Sequence, residues 1–219
     1  AHDLKSALNK VKGYTQILQM LGKLQGEEKK IVEDIDKVVE GGRRLIQDLL
    51  DIHTAEYQDT KNVKNEPVQL EELLQGIIQS FKPSADQKGV DIIYTDPGHG
   101  VDIESDPSAL SRVFENLISN AIKFTEPGKG VFVSLHDNEG RAQVMIRDEG
   151  PGFTPADQEK VFQKFQKLSA KPTGGESSTG LGLAIVKLLL EQTRGHISLY
   201  SQPEEGSEFI IELPRSLKH

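Results

Sequence analysis

Not one of the 219 residues is cysteine, so the chain can form no disulfide and present no thiolate. That absence agrees with the reducing cytosol, and a cytoplasmic location is the expectation. No apolar run reaches the ~18 residues that cross a bilayer, and no signal peptide is present, so this segment is expected to make no membrane contact. Positive charge is in deficit: 26 Lys and Arg against 34 Asp and Glu leave a formal net charge of -8 and a pI near 5.3. Such a surface makes a poor binder of nucleic acid. Internal repeats and metal-ligand clusters are also missing; His53, His99, His136, His196 and His219 are scattered and read as structural or solvent-facing. What remains is ordinary globular material, 36% hydrophobic, which divides into a small helical domain over residues 1–60 and an α/β domain over residues 61–219.

Three segments of the second domain carry chemistry. In Glu115 to Thr125, helical spacing puts Asn116, Asn120 and Lys123 at i, i+4 and i+7, so two amides and an ammonium share a face. Val113, Leu117, Ile118 and Ala121 are left to pack the other side. Hard divalent cations take oxygen ligands, and magnesium keeps much of its shell for water and substrate phosphate, so this polar face suits Mg-ATP. Asp148 ends a run from Arg141 to Arg147 whose alternation reads as a half-buried strand, and it precedes Gly150 and Gly152. A carboxylate there can accept from an exocyclic amine. Gly180 and Gly182 open the apolar run that starts at Leu181, where a helix N-terminus offers N–H groups to a phosphate. Singly each feature is an ordinary cap or turn; their order and spacing are what independent turns rarely reproduce.

With these residues in place, the chain resembles the ATP-binding domain of sensor histidine kinases, in the superfamily that also holds the gyrase, Hsp90 and MutL ATPases. The resemblance covers nearly all of residues 67–214. Asn116 to Thr125 looks like the N box, Asp148 to Gly152 the G1 box, Val161 to Phe165 the F box, and Gly180 to Leu183 the G2 box. It implies that Asn120 coordinates magnesium, that Asn116 and Lys123 address phosphates, and that Asp148 reads the adenine amine beside Phe124. Gly150, Gly152, Thr179, Gly180, Leu181 and Gly182 complete the implied nucleotide site, with ATP and Mg2+ as cofactors. The stretch from about Phe153 to Thr179 is the implied lid. Lys171 to Ser178 within it is polar and rich in breakers, as a flexible functional loop is.

The first sixty residues select the branch. Leu4, Leu8, Val11, Thr15 and Leu18 step by four and three, as do Ile31, Ile35, Val38, Gly42, Leu45, Leu49 and Ile52. Gly22 to Gly26 interrupts the pattern, so an αα-hairpin is expected, and its apolar seam calls for a dimeric four-helix bundle. Gly41 and Gly42 each cost the second helix roughly 1 kcal/mol against alanine, which points to close helix approach or a bend. His2 falls roughly 200° round the helix from the seam, facing solvent, and an adjacent carboxylate at Asp3 can fix its tautomer and raise its basicity. His2 to Leu8 looks like the H box of histidine kinases, which implies His2 as phosphoacceptor and Asp3 as its acid/base partner. Ser6 stands where threonine or asparagine often supports dephosphorylation of a partner, implying a phosphatase role. Ala7 replaces a frequent proline, and Lys5 replaces a commoner arginine, keeping the charge without the bidentate fork.

The expected fold is therefore α+β: a helical hairpin, then an α/β sandwich of the Bergerat or GHKL type. Helices are expected over Leu70 to Phe81, from Asp106-Pro107 through Asn120, and over Leu181 to Gln192. Strands are expected after Pro67, near Val90 to Tyr94, Val101 to Glu104, Gly130 to His136, Ala142 to Arg147, Ile197 to Ser201 and Ser207 to Leu213. Asn138-Glu139-Gly140 reads as a hairpin turn, and Tyr57 to Glu66 as an interdomain hinge. The resemblance implies autophosphorylation on His2, transfer to an aspartate of a response regulator receiver domain, and a homodimer. Beginning at the H box, the chain looks like an excised catalytic core, with any sensor or membrane segment upstream. Two other readings of the same residues stay open: an ATPase of the superfamily that drives conformational change with water as acceptor, and a non-catalytic dimeric signalling module.

Overall fold

A computed structural model describes residues 2–22, 24–57, 65–138, 140–166, 168–174 and 179–215. The chain divides into two compact units, Ala1–Thr54 and Ala55–His219. The expected hinge falls mostly on residues 58–64, and the centre of the expected hairpin turn on Glu139; both lie outside the described residues.

The first unit is built from α1 (His2–Met20) and α2 (Glu27–Tyr57). They meet as an antiparallel pair: Lys5 Nζ donates to Gln47 Oε1 at 2.6 Å, Lys12 Nζ to Glu40 Oε2 at 2.8 Å, and Thr15 Oγ1 to the Asp36 carboxylate. Gly42 lies at a close approach. A Cβ there would stand 3.3 Å from Leu8 Cδ1, so of the two readings left open for this glycine the structure favours helix contact. The residues that α1 and α2 bury are Thr15, Val32, Val39, Asp48 and Ile52. The heptad stripe read from the sequence is mostly a different face: Val38 is 74% exposed, Leu4 61% and Ile31 58%, with Val11, Leu18, Ile35, Leu45 and Leu49 also exposed. α2 is thus apolar on two sides, one turned to α1 and one outward.

The second unit is a two-layer sandwich. A five-stranded sheet runs in the order β2 (Asp91–Thr95), β4 (Gly130–Asn138), β5 (Arg141–Asp148), β7 (Gly206–Pro214), β6 (His196–Gln202). Only β2 and β4 are parallel, so the sheet is mixed. β1 (Glu66–Gln69) and β3 (Asp102–Ser105) form a separate antiparallel ribbon. Strand alternation decides the core: Val131, Val133 and Leu135 of β4, Ala142, Val144 and Ile146 of β5, and Phe209, Ile211 and Leu213 of β7 face inward. Against them pack α3 (Leu70–Lys88), α4 (Pro107–Phe124) and α6 (Gly182–Gln192).

α3 runs seven residues beyond the end expected at Phe81 and passes through Pro83. Its stop is Gly89, left-handed at φ 74°, whose N–H reaches the last carbonyls while Val90 N bonds to Ala85 O at 2.9 Å. Ala85 is fully buried in the last turn, so packing holds the helix together past the proline. A short helix, α5 (Pro155–Gln158), capped by Thr154, was not expected within the lid.

α4 begins as its sequence dictates. Pro107 takes the first turn, and the Asp106 carboxylate accepts from Ser108 N at 2.9 Å and Ala109 N at 3.1 Å. Asp106→Ala should lower the stability of this unit by about 1 kcal/mol, seen as a drop of roughly 2–4 °C in its calorimetric midpoint. Asp106→Asn, which keeps an acceptor, should hold the wild-type midpoint.

Candidate functional site

Amphipathicity fixes the orientation of α4. Leu110, Val113, Phe114, Leu117 and Ile118 are buried under the sheet, which leaves Asn116 and Asn120 half-buried on the side toward α6. Asn116 Nδ2 donates back to Arg112 O at 2.9 Å. At the start of α6, a Cβ on Gly182 would stand 3.2 Å from Asn116 Oδ1 and 3.8 Å from Asn120 Nδ2. The N-terminus of α6 therefore abuts the two amides, and a side chain at Gly182 would crowd Asn116. Leu181, the N-cap, carries no side-chain acceptor for the first-turn N–H groups, while Thr179 Oγ1 accepts from Leu181 N at 3.3 Å. Gly180, left-handed at φ 69°, accepts at its carbonyl from Phe165 N at 2.9 Å, tying the second glycine segment to the expected F box.

Asp148 occupies the end of β5 and is 5% exposed. Its Oδ1 accepts from Gly150 N at 2.8 Å and its Oδ2 from Ser207 Oγ at 2.5 Å. Burial pushes its carboxyl above the usual range, and the Ser207 hydroxyl with the Gly150 and Ser207 N–H groups pulls against that rise. Gly152, at φ 66°, has no room for a side chain, because a Cβ would fall 2.0 Å from Gln202 O.

A partly open apolar cavity lies here. The structure brings Asn120, Phe124, Asp148 and Gly152 of the expected set onto its lining. Asn116, Gly150 and Gly182 stand just behind or beside these groups, while Gly180 packs on Phe165 and Gln166. Lys123 is nearly buried, its ammonium 5.8 Å from the centroid of the Phe124 ring. Ser6 lies on α1 in the first unit, half-buried. His2 and Asp3 fall in the first turn of α1, but their side chains lie outside the described residues.

The lining also takes in Phe153, Leu168 and Ala170 of the expected lid and Leu183 of the expected G2 box, together with Phe209 and Ser207, which no sequence signal marks. Phe153 and Phe209 meet edge to face, with ring centroids 6.2 Å apart. Ser207 reaches Asp148 only because the β5–β7 register sets the two residues opposite each other, a pairing across 59 positions that no local signal marks. The remaining histidines stay out of the site. His53, His136 and His196 are exposed, and His99 pairs with Asp137 at 3.0 Å on the surface. His219 lies outside the described residues. Among the described residues no helix is long and apolar enough to cross a membrane, and no three or more His, Asp or Glu side chains gather to hold a metal. The Asn120 amide, with the α6 N-terminus beside it, is a donor set that fits a metal-bound polyphosphate.

Because burial raises the pKa of Asp148 in the folded protein, the folded state keeps its proton at pH values where the unfolded chain has released it. That stabilising contribution is present below the unfolded value of about 3.9 and is lost as pH rises through the raised folded value. Denaturation midpoints measured from about pH 3 to 7 should therefore shift in favour of Asp148→Asn over wild type as pH rises. A difference that stays flat would mean that burying the ionised carboxylate carries no cost.

Comparison with known proteins gives the following. Residues 105–217 match the family described as histidine kinase-, DNA gyrase B-, and HSP90-like ATPase, and residues 1–58 match the His Kinase A (phospho-acceptor) domain. Sensor protein SrrB of Staphylococcus aureus (strain N315) is 28% identical over 218 residues, 98% of this chain. The chain spans only 37% of SrrB's own length. Among solved structures, full-length ShkA in complex with AMPPNP superposes with a TM-score of 0.77 at 28% identity, over 97% of this chain and 44% of ShkA. The mycobacterial sensor histidine kinase MprB gives 0.59 at 28% identity, over 68% of this chain and 97% of MprB.

Proposed function

This chain belongs to the histidine kinases, within the histidine kinase-, DNA gyrase B-, and HSP90-like ATPase family, and from that premise we propose that it autophosphorylates on His2 with ATP. The phosphoryl group then passes to an aspartate of a response regulator receiver domain. One observation carries the reading: the buried Asp148 carboxylate opens onto an apolar cavity that also holds Phe124 and Asn120, with the N-terminus of an eleven-residue helix beside it. An adenine fits this division of labour. Its exocyclic amine donates to Asp148, its ring lies among Phe124, Phe153 and Leu183, and the polyphosphate extends toward Asn116, Asn120 and the first turn of α6.

The chemistry needs little covalent work from the protein. A lone pair on the His2 imidazole forms the N–P bond to the γ-phosphorus as the bond to the ADP oxygen breaks. Asp3 holds the proton on the other ring nitrogen, which keeps the attacking nitrogen basic. Asn116 and Lys123 bind phosphate oxygens, and Thr179 to Gly182 present backbone N–H groups to the same anion. Asn120, together with phosphate oxygens, would hold a magnesium ion, which would supply charge neutralisation. Ser6, one turn beyond His2, orients water for dephosphorylation of the regulator.

The working unit is a homodimer in the cytoplasm. Leu4, Val11, Leu18, Ile31, Ile35, Val38, Leu45 and Leu49 make the outward face of the hairpin apolar, and a second copy of the hairpin covers that face in a four-helix bundle.

Incubation of the protein with magnesium and γ-labelled ATP should give an acid-labile, alkali-stable label that His2→Ala abolishes. Release of inorganic phosphate with no protein-bound label would overturn the kinase assignment in favour of an ATPase using water as acceptor.

A further inference from the structure

The last four carbonyls of a helix have no partner within it, and α4 ends against the cavity. Two of those carbonyls are met from α3. Lys88 Nζ donates to Ile122 O at 2.9 Å and to Lys123 O at 2.6 Å. A third contact comes from the opposite direction. Thr173 N donates to Lys123 O at 3.2 Å, and Thr173 Oγ1 stands 3.2 Å from Lys123 O and 2.9 Å from Thr125 O. Its single proton serves one carbonyl at a time, and Thr125 O is the nearer.

What lies just before Thr173 gives this contact a consequence. Leu168 and Ala170 line the cavity with Phe124, yet residues 168–173 belong to no helix or strand and have no ladder to hold them. They are held at two points. Ser169 donates through its N–H and its hydroxyl to the Asp157 carboxylate, and Thr173 donates to the end of α4. Between those points the chain is short enough that Ala170 has little freedom to leave the cavity wall.

We propose that Thr173 is a positioning residue for the base of the nucleotide: it clasps the segment 168–173 to the carbonyl end of α4 and so keeps Leu168 and Ala170 closed over the apolar part of the pocket. This rests on the nucleotide reading of the cavity. The clasp joins the lid to the helix that also supplies Asn116, Asn120 and Lys123, so base enclosure and phosphate binding share one support. Its energy is that of exchanging protein hydrogen bonds for water, which sets the scale of its effect on affinity.

Thr173→Val removes the hydroxyl donor and keeps the shape and the backbone N–H. It should raise the Kd of ATP and of ADP about three- to tenfold, while inorganic tripolyphosphate, which has no base to enclose, binds as to wild type. In labelling assays KM for ATP should rise with kcat unchanged, and amide exchange at Ala170 should quicken in the absence of nucleotide. Thr173→Ser should restore all of these. Wild-type Kd values in Thr173→Val would overturn the clasp and leave the nucleotide reading standing, and an equal loss for tripolyphosphate would overturn the assignment to the base wall. A wild-type protein that bound neither ATP nor ADP would overturn both.

Discussion

The burial of one face of α4 against the inner face of the sheet is the constraint on which the rest of the second unit depends. Leu110, Val113, Phe114, Leu117 and Ile118 are each at most 1% exposed, and burying such side chains contributes roughly 1.5–3 kcal/mol apiece. With that face committed, the rotation of the helix about its axis is no longer free. Asn116 and Asn120, one turn apart on the other side, then have a single direction in which to point. The Asp106 cap fixes where the helix starts, and Lys88 and Thr173 occupy its carbonyl end. A helix held at its face and both ends is a rigid platform for the side chains on its remaining face.

Asp148 works against the same apolar environment. Its carboxylate sits at the edge of the core, where loss of solvent favours the neutral acid, and three donors from Gly150 and Ser207 offset part of that cost. A carboxylate so placed contributes little to the stability of the fold once it is ionised. The glycines around it follow from crowding. Gly152 packs directly on the turn that joins β6 and β7, and that turn delivers Ser207 to the carboxylate.

The helical hairpin divides its apolar residues between two faces because a pair of helices has only one mutual contact line. Polar contacts such as Lys12 with Glu40 and Thr15 with Asp36 set the register between α1 and α2, and Gly42 lets them approach at Leu8. The second apolar stripe stays exposed in the single chain.

Much of this was legible in the sequence. Periodicity located the two hairpin helices, α4 and α6, the Asp106-Pro107 start of α4 was read correctly, and the alternation in β5 put Asp148 at a strand end. Asn116, Asn120, Asp148 and the glycines at 150, 152, 180 and 182 stand out as candidates because their spacing is local, fixed by helix geometry and by the needs of tight turns. The end of α3 was not, since Pro83 is a stop signal locally and only the burial of Ala85 overrides it. Nor could the heptad stripe of α2 say which apolar face meets α1, because both faces carry the same period. Ser207, the aromatic wall and the Thr173 clasp were invisible for a common reason: each joins residues far apart in the chain, and such pairings are decided by strand register and core packing. Local composition and spacing mark which residues are chemically equipped and which elements carry them; which of them share a cavity follows from the closed core, because proximity across the sheet belongs to no local segment.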